Sequence, residues 1–172
     1  MSDEKTLSSY EIMNYDIIEA IPSSRGGRDG IDMADISNKK GLIEKNYGKN
    51  AKKWNYIIKG LNITGKCENE GCEAYNWEVD CQIGIGKFDL VRDADEINCP
   101  MCKNLIQPIT CTFCKCNYRL DGKKRYKDEN GKLKIEKVNT DWKKVEKDYE
   151  YYDPNKSGTV NWLMLIIETK SL

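Results

Sequence analysis

The chain has 172 residues, 39% of them apolar and 33% charged, and its 28 basic and 28 acidic residues give a formal net charge of zero. That length holds one domain plus an appendage, but it is a thin supply of core and lacks the basic excess that a nucleic-acid footprint shows. There is no histidine, which excludes Ser/His/Asp and Cys/His arrangements and leaves sulfur and carboxylate as metal ligands.

Residues 1–50 read as an N-terminal arm. Tyr10, Met13, Ile17 and Ile21 fall at roughly helical spacing, with Ser8 and Glu11 as a capping box, so a short helix is expected over 9–21. Pro22 stops it, and "SSRGGRDG" is a linker. The start lacks the basic and apolar regions of a secretory signal, and no run of eighteen apolar residues offers a membrane span. A cytoplasmic protein with reduced thiols is the expectation. The eight cysteines then read as metal ligands rather than disulfides.

From residue 51 onward the pattern turns to strands. In "WEVDCQIGI" Trp77, Val79, Cys81, Ile83 and Ile85 alternate with polar residues, as in a half-buried strand. "NYRLDGKKRYKDENGKLKIEKV" reads as a hairpin turning at Asn130–Gly131, where a tight turn needs positive φ. "DWKKVEKDYEYYDP" reads as part of a binding face or, more commonly for such a stretch, a solvated strand edge, and "TVNWLMLIIET", apolar on both faces, as a central strand or one covered on both sides. Gly84-Ile-Gly86 is a strand turn rather than a phosphate loop. "DPNKSGTVNWLM" has an EF-hand's spacing but Met164 at its last position, so it too is a turn.

The cysteines carry the strongest signal. Cys99-Pro-Met-Cys102 has the form of a zinc knuckle, and Cys67 and Cys72 make a C-x4-C pair separated from Cys99 by 26 residues. Two such pairs joined by a hairpin make a zinc ribbon, and four thiolates in a tetrahedron suit zinc and leave no open position. Iron also accepts four sulfurs. Cys81, flanked by Val79 and Ile83, reads as core packing. A second site would take Cys111, Cys116, Cys114 and Cys81, but Cys111 faces opposite to Cys114 and Cys116 in an unbroken strand, so it requires a bulge.

In these residues the chain resembles an uncharacterised cysteine-rich domain of single-celled eukaryotes such as ciliates, found in some members after a ubiquitin-like region. The resemblance covers roughly residues 26–165. It rests on Trp54, Gly60-Leu61, Cys67, Cys72, Ala74, Cys99-Pro100, Cys102, Pro108, Thr110-Cys111, Phe113 and Cys116. It implies a role for the Cys111/Cys116 pair and no activity. Arg25-Gly26-Gly27 is similar to the tail of ubiquitin, but 24 residues before it are too few for that fold.

The expected fold is therefore mainly β: a zinc-ribbon-like antiparallel β domain over 51–172, with a ribbon core at 61–120, C-terminal strands at 117–172 and an extended, partly helical N-terminal arm. The expected cofactor is structural Zn2+. The expected role is non-catalytic: a scaffolding subunit with protein partners in a larger assembly, cytoskeletal or ciliary. A nucleic-acid-binding ribbon would use Lys123, Lys124, Arg125, Lys127, Lys132 and Lys134, and a ubiquitin-pathway adaptor is a third reading.

Overall fold

The computed structural model describes residues 30–172. The chain is mainly β, in two antiparallel sheets. The strands are β1 (Ile31–Ala34), β2 (Leu42–Lys45), β3 (Gly60–Lys66), β4 (Glu78–Gly84), β5 (Gly86–Asp89), β6 (Gln107–Cys114), β7 (Cys116–Lys127), β8 (Leu133–Asn139), β9 (Lys143–Lys144), β10 (Tyr149–Tyr152) and β11 (Thr159–Ser171). The first sheet runs β1-β11-β7-β8, with β5 also on β11 and β9 also on β7; the second runs β2-β10-β6-β3-β4. The inner faces share one core that includes Met33, Leu61, Ile63, Phe113, Leu120, Trp162 and Ile167. The Phe113 and Tyr118 rings, one from each sheet, stack 3.7 Å apart across it.

Two tight corners carry the chain from one sheet to the other. Gly84 and Gly86, at φ 106° and 149°, lead β4 into β5. Thr169 Oγ1 locks that corner, donating to the Gly84 carbonyl and accepting from the Gly86 amide, each at 3.0 Å. Lys115, at φ 41°, makes the β6–β7 corner. β11 is the central strand its two-sided apolar pattern implied, flanked by β1 and β5 on one side and β7 on the other.

Several expectations are corrected. The helix at 9–21 and the linker's Gly26 and Gly27 lie outside the described residues, whereas its last glycine, Gly30, is described at φ 92° just before β1. The arm read over 1–50 contributes β1 and β2, an end strand to each sheet, because Ile31, Met33, Ala34 and Ile36 bury themselves in the shared core. Strands of four residues are too short to announce a period in sequence. The 128–132 turn takes positive φ at Gly131 alone, and Asp128 Oδ1 accepts from the Asn130 and Lys132 amides, the pattern of a longer hairpin loop rather than a two-residue turn.

β10 is not a solvated edge but lies between β2 and β6. Glu150, wholly buried, faces inward, where it accepts from Tyr118 Oη at 2.5 Å and from Lys143 Nζ at 3.0 Å. Burial and the nearby Tyr152 and Glu150 hold the Tyr118 phenol well above its usual range, so it stays a donor. The EF-hand-like stretch is a turn: Asp153 caps the single-turn helix α1 (Pro154–Ser157), and Gly158 leads into β11.

Candidate metal centre

Cys67 and Cys72 sit in the loop from β3 to β4. Cys99 and Cys102 sit in the connection from β5 to β6, which is pinned by one bridge between Asn98 and Leu105. Both loops are built alike. Cys67 N donates to the Trp77 carbonyl and receives the Asn76 amide on its own carbonyl, at 3.1 and 2.7 Å. Cys99 N donates to Asn104 O and receives Lys103 N, at 2.9 Å each. Asn76 and Lys103 occupy the same left-handed turn position, both at φ 67°. The C-x4-C and CxxC segments thus fold into equivalent knuckles despite their different spacing.

The knuckles bring the four sulfurs within 4.8 Å of one another. Cys67 and Cys102 are 3.7 Å apart, and Cys72 and Cys99 3.9 Å. A disulfide needs about 2.05 Å, whereas four sulfurs each about 2.3 Å from a central ion are separated by about 3.8 Å. The geometry is that of a group that could hold a metal ion. Each sulfur also has an amide two residues further on: Ala74 N donates to Cys72 Sγ at 3.3 Å and Met101 N to Cys99 Sγ at 3.4 Å. The Asn69 and Asn104 amides do the same for Cys67 and Cys102.

These donors set the electrostatics. Burial pushes the Cys67 thiol up to about 12. Burial acts the same way on Cys102, but the Asn69 side chain, the Asn104 amide and the neighbouring thiols outweigh it and bring that thiol down to about 6. The cluster thus favours negative charge at Cys102, and a bound cation would favour the thiolate form of its ligands. Cys67 and Cys99 are buried and Cys72 and Cys102 half-buried. Trp77, whose carbonyl accepts the Cys67 amide, has its ring 6.3 Å from that of Trp54, with Lys52 Nζ over the Trp77 ring at 4.7 Å.

The other four thiols form no such group, and Cys67, Cys72, Cys99 and Cys102 are the sole group able to hold a metal ion found among the described residues. Cys81 faces the core from β4, with the Glu96 carbonyl 4.0 Å from its sulfur. Cys111 points into the sandwich against Met33, and burial pushes its thiol well above the usual range. Cys114 lies on the opposite face of β6, beside Tyr47 Oη at 3.0 Å. Cys116 comes after the Lys115 corner and belongs to the other sheet. The opposition of Cys111 and Cys114 follows from strand alternation. The sheet change that sends Cys116 away has no signal in sequence, because a lysine occupies the left-handed position.

The residues that sequence reasoning missed lie on the outer face of the five-stranded sheet. Residues 47–57 cross this face as a strap, held by Asn55 Nδ2 on the Glu78 carbonyl and Asp80 carboxylate and by Gln82 Nε2 on the Tyr56 carbonyl, each at 3.0 Å. Beneath it Thr64 Oγ1 donates to Asp80 Oδ1 at 2.6 Å, and burial raises the Asp80 pKa. Among the described residues no helix is long and apolar enough to cross a membrane. No family model, no curated protein and no solved structure matches the chain.

Proposed function

We propose that Cys67, Cys72, Cys99 and Cys102 bind one structural zinc ion, in a zinc-ribbon-like pairing of two knuckles. The protein then acts as a non-catalytic interaction subunit of an intracellular assembly, cytoskeletal or ciliary. The observation that carries this reading is the sulfur quartet, with separations of 3.7 and 3.9 Å and one amide directed at each sulfur. Four thiolates complete a tetrahedral shell, leave no position for water or substrate, and make the ion a staple rather than a reagent. Zinc fits better than iron because a staple needs no redox change.

Elemental analysis of the purified chain tests this. One zinc per chain is expected. Cys99→Ser and Cys102→Ser lose it, whereas Cys81→Ser and Cys116→Ser retain it. Stoichiometric iron, or zinc retained by both knuckle variants, would refute the assignment.

Nucleic-acid binding is the second reading, and one observation favours it. On the outer face of the other sheet Lys123 lies directly opposite Lys137, beside Arg125 and Lys127. Like charges in register are unfavourable unless an anion joins them. Lys124, counted with them in sequence, is turned inward onto Asp35 and contributes nothing to that face. Binding of a DNA or RNA oligonucleotide that falls steeply with salt, and falls further in Lys123→Glu/Lys137→Glu, is the outcome expected of that reading. Equal binding by that variant excludes it.

A further inference from the structure

A trough of about 1040 Å³ lies over the outer face of the five-stranded sheet, between the 47–57 strap and the residues Asp153–Asn155. It slightly exceeds the usual small-ligand range of about 300–1,000 Å³. None of the four clustered cysteines lines it. Its floor is polar although the chains there are nine-tenths covered: Thr64, Thr110, Thr112 and Asp80 are all 5–9% exposed. A floor of hydroxyls and carboxylate is unsuited to an apolar helix or a second sheet.

Charge narrows the occupant further. Glu78, Asp80 and Asp153 line the trough against a single cation, Lys49. The body around it has the opposite sign: residues 1–29 hold three basic and six acidic residues, which leaves 25 basic and 22 acidic over 30–172. The negative trough is therefore a local arrangement and not a reflection of overall composition. Tyr47, Tyr56, Tyr149 and Tyr151 line it, the Tyr47 and Tyr149 rings stacked on one another with centroids 6.2 Å apart, and aromatic rings attract ammonium and guanidinium groups. The Tyr47 ring already has Lys115 Nζ 5.4 Å from its centroid.

We propose that this trough binds an extended peptide of a partner protein that carries two basic side chains four residues apart. The spacing comes from the sheet. Asp80 of β4 pairs with Thr64 and Thr64 with Thr110, and the β10–β6 register, with Tyr151 at Thr112, brings Asp153 beside Thr110, so Asp80 and Asp153 lie in line across β3 and β6. Three inter-strand steps of about 4.8 Å span about 14 Å, which an extended chain covers in about four residues. Side chains at i and i+4 of an extended chain also point the same way. One cation meets Glu78 and Asp80, the other meets Asp153, and the tyrosines flank both.

The test uses a capped peptide, Gly-Ser-Lys-Ser-Gly-Ser-Lys-Gly, with the full-length chain at low salt. Titration should shift the backbone amides of Thr64, Thr112 and Tyr151 and leave those of Lys123 and Ile135, on the other sheet, in place. Glu78→Gln/Asp153→Asn should weaken binding at least about tenfold. Neither change removes a packed group, and asparagine still caps α1. Moving the two lysines to adjacent positions should weaken it as well. The proposal is overturned by undiminished affinity in that double variant, by absence of shifts at millimolar peptide, or by shifts confined to the other sheet. A neutral oligosaccharide such as maltotetraose producing the same shifts, with the lysine peptide inert, assigns the trough to sugars instead and also overturns it. The zinc content of the same sample reports separately on the metal centre, so failure of one reading leaves the other standing.

Discussion

Removing the metal, by chelation or by Cys99→Ser, is expected to abolish most of the cooperative folding of the five-stranded sheet. The connection from β5 to β6 contains one short turn at Ala94–Glu96 and the single bridge Asn98–Leu105. Little else among its backbone bonds closes the loop on the loop from β3 to β4. A bound ion would add that closure to the packing of Leu90, Ala94, Ile97 and Ile106 in the core. Structural zinc contributes apparent binding free energies of about 10–16 kcal/mol in small domains, comparable with a whole domain's stability of about 5–15 kcal/mol. The effect is not confined to the loops, because β3 leads into one knuckle, β4 leaves it, and β6 begins five residues after Cys102; these three strands are neighbours in the sheet.

At about 2–4 °C per kcal/mol for a chain of this size, losing even about 5 kcal/mol lowers Tm by about 10–20 °C. Thermal unfolding followed by circular dichroism, with and without chelator, reads this directly. Cys81→Ala is the comparison: it removes a small apolar group from the core face of β4 and should cost only about 1 kcal/mol. An unchanged Tm after complete metal removal would show that packing alone holds the two knuckles together.

The four-cysteine cluster was the most legible part of this chain because its information is local. Four cysteines in two short motifs suffice, and no knowledge of the sheets is needed to pair them. The strand at 77–85 was legible in its middle, where Val79 and Cys81 do face the core, but not at its ends. Trp77 is 52% exposed, and β4 itself ends at Gly84. Its polar face misled in the other direction, since Asp80 is buried beneath a strap that sequence periodicity cannot reveal. Glu150 shows the same limit. "YEYY" reads as a surface strand until β2 and β10 are known to pair, with Glu44 beside Glu150 in the register. Pairings such as β1 with β11, in which Met33 lies opposite Val160, depend on contacts between distant parts of the chain. Their signal exists only in three dimensions.

The second large effect is expected at one such distant contact. Asp35 and Lys124 are joined through a 2.7 Å bond between Oδ2 and Nζ, with side chains 8% and 10% exposed. Lys124 lies opposite Trp162 of β11, and β11 in turn separates β7 from β1. The pair therefore bridges over the central strand and fixes the segment after β1. Ser37 completes it: its Oγ accepts from Lys124 at 2.9 Å, and its amide donates to Asp35 Oδ1 at 3.1 Å. In Asp35→Ala the ammonium remains covered, with Ser37 Oγ and a carboxylate of Glu136 at 3.9 Å as its remaining acceptors.

A buried charge stripped of its counter-ion costs about 3–5 kcal/mol, and urea denaturation of Asp35→Ala should show a loss of that order. Replacing both partners separates the two contributions to that loss. Lys124→Met keeps the aliphatic stem that packs below the strand while removing the charge, so Asp35→Ala/Lys124→Met should be more stable than Asp35→Ala alone. If the double variant instead loses the sum of the two single effects, the carboxylate acts through its Ser37 bonds and the turn after β1. A cost below about 1 kcal/mol for Asp35→Ala would place the pair among exposed ion pairs, which contribute little. The magnitude decides whether residues 31–36 are held by apolar packing with an incidental salt bridge, or whether the ion pair itself fixes where this end strand sits.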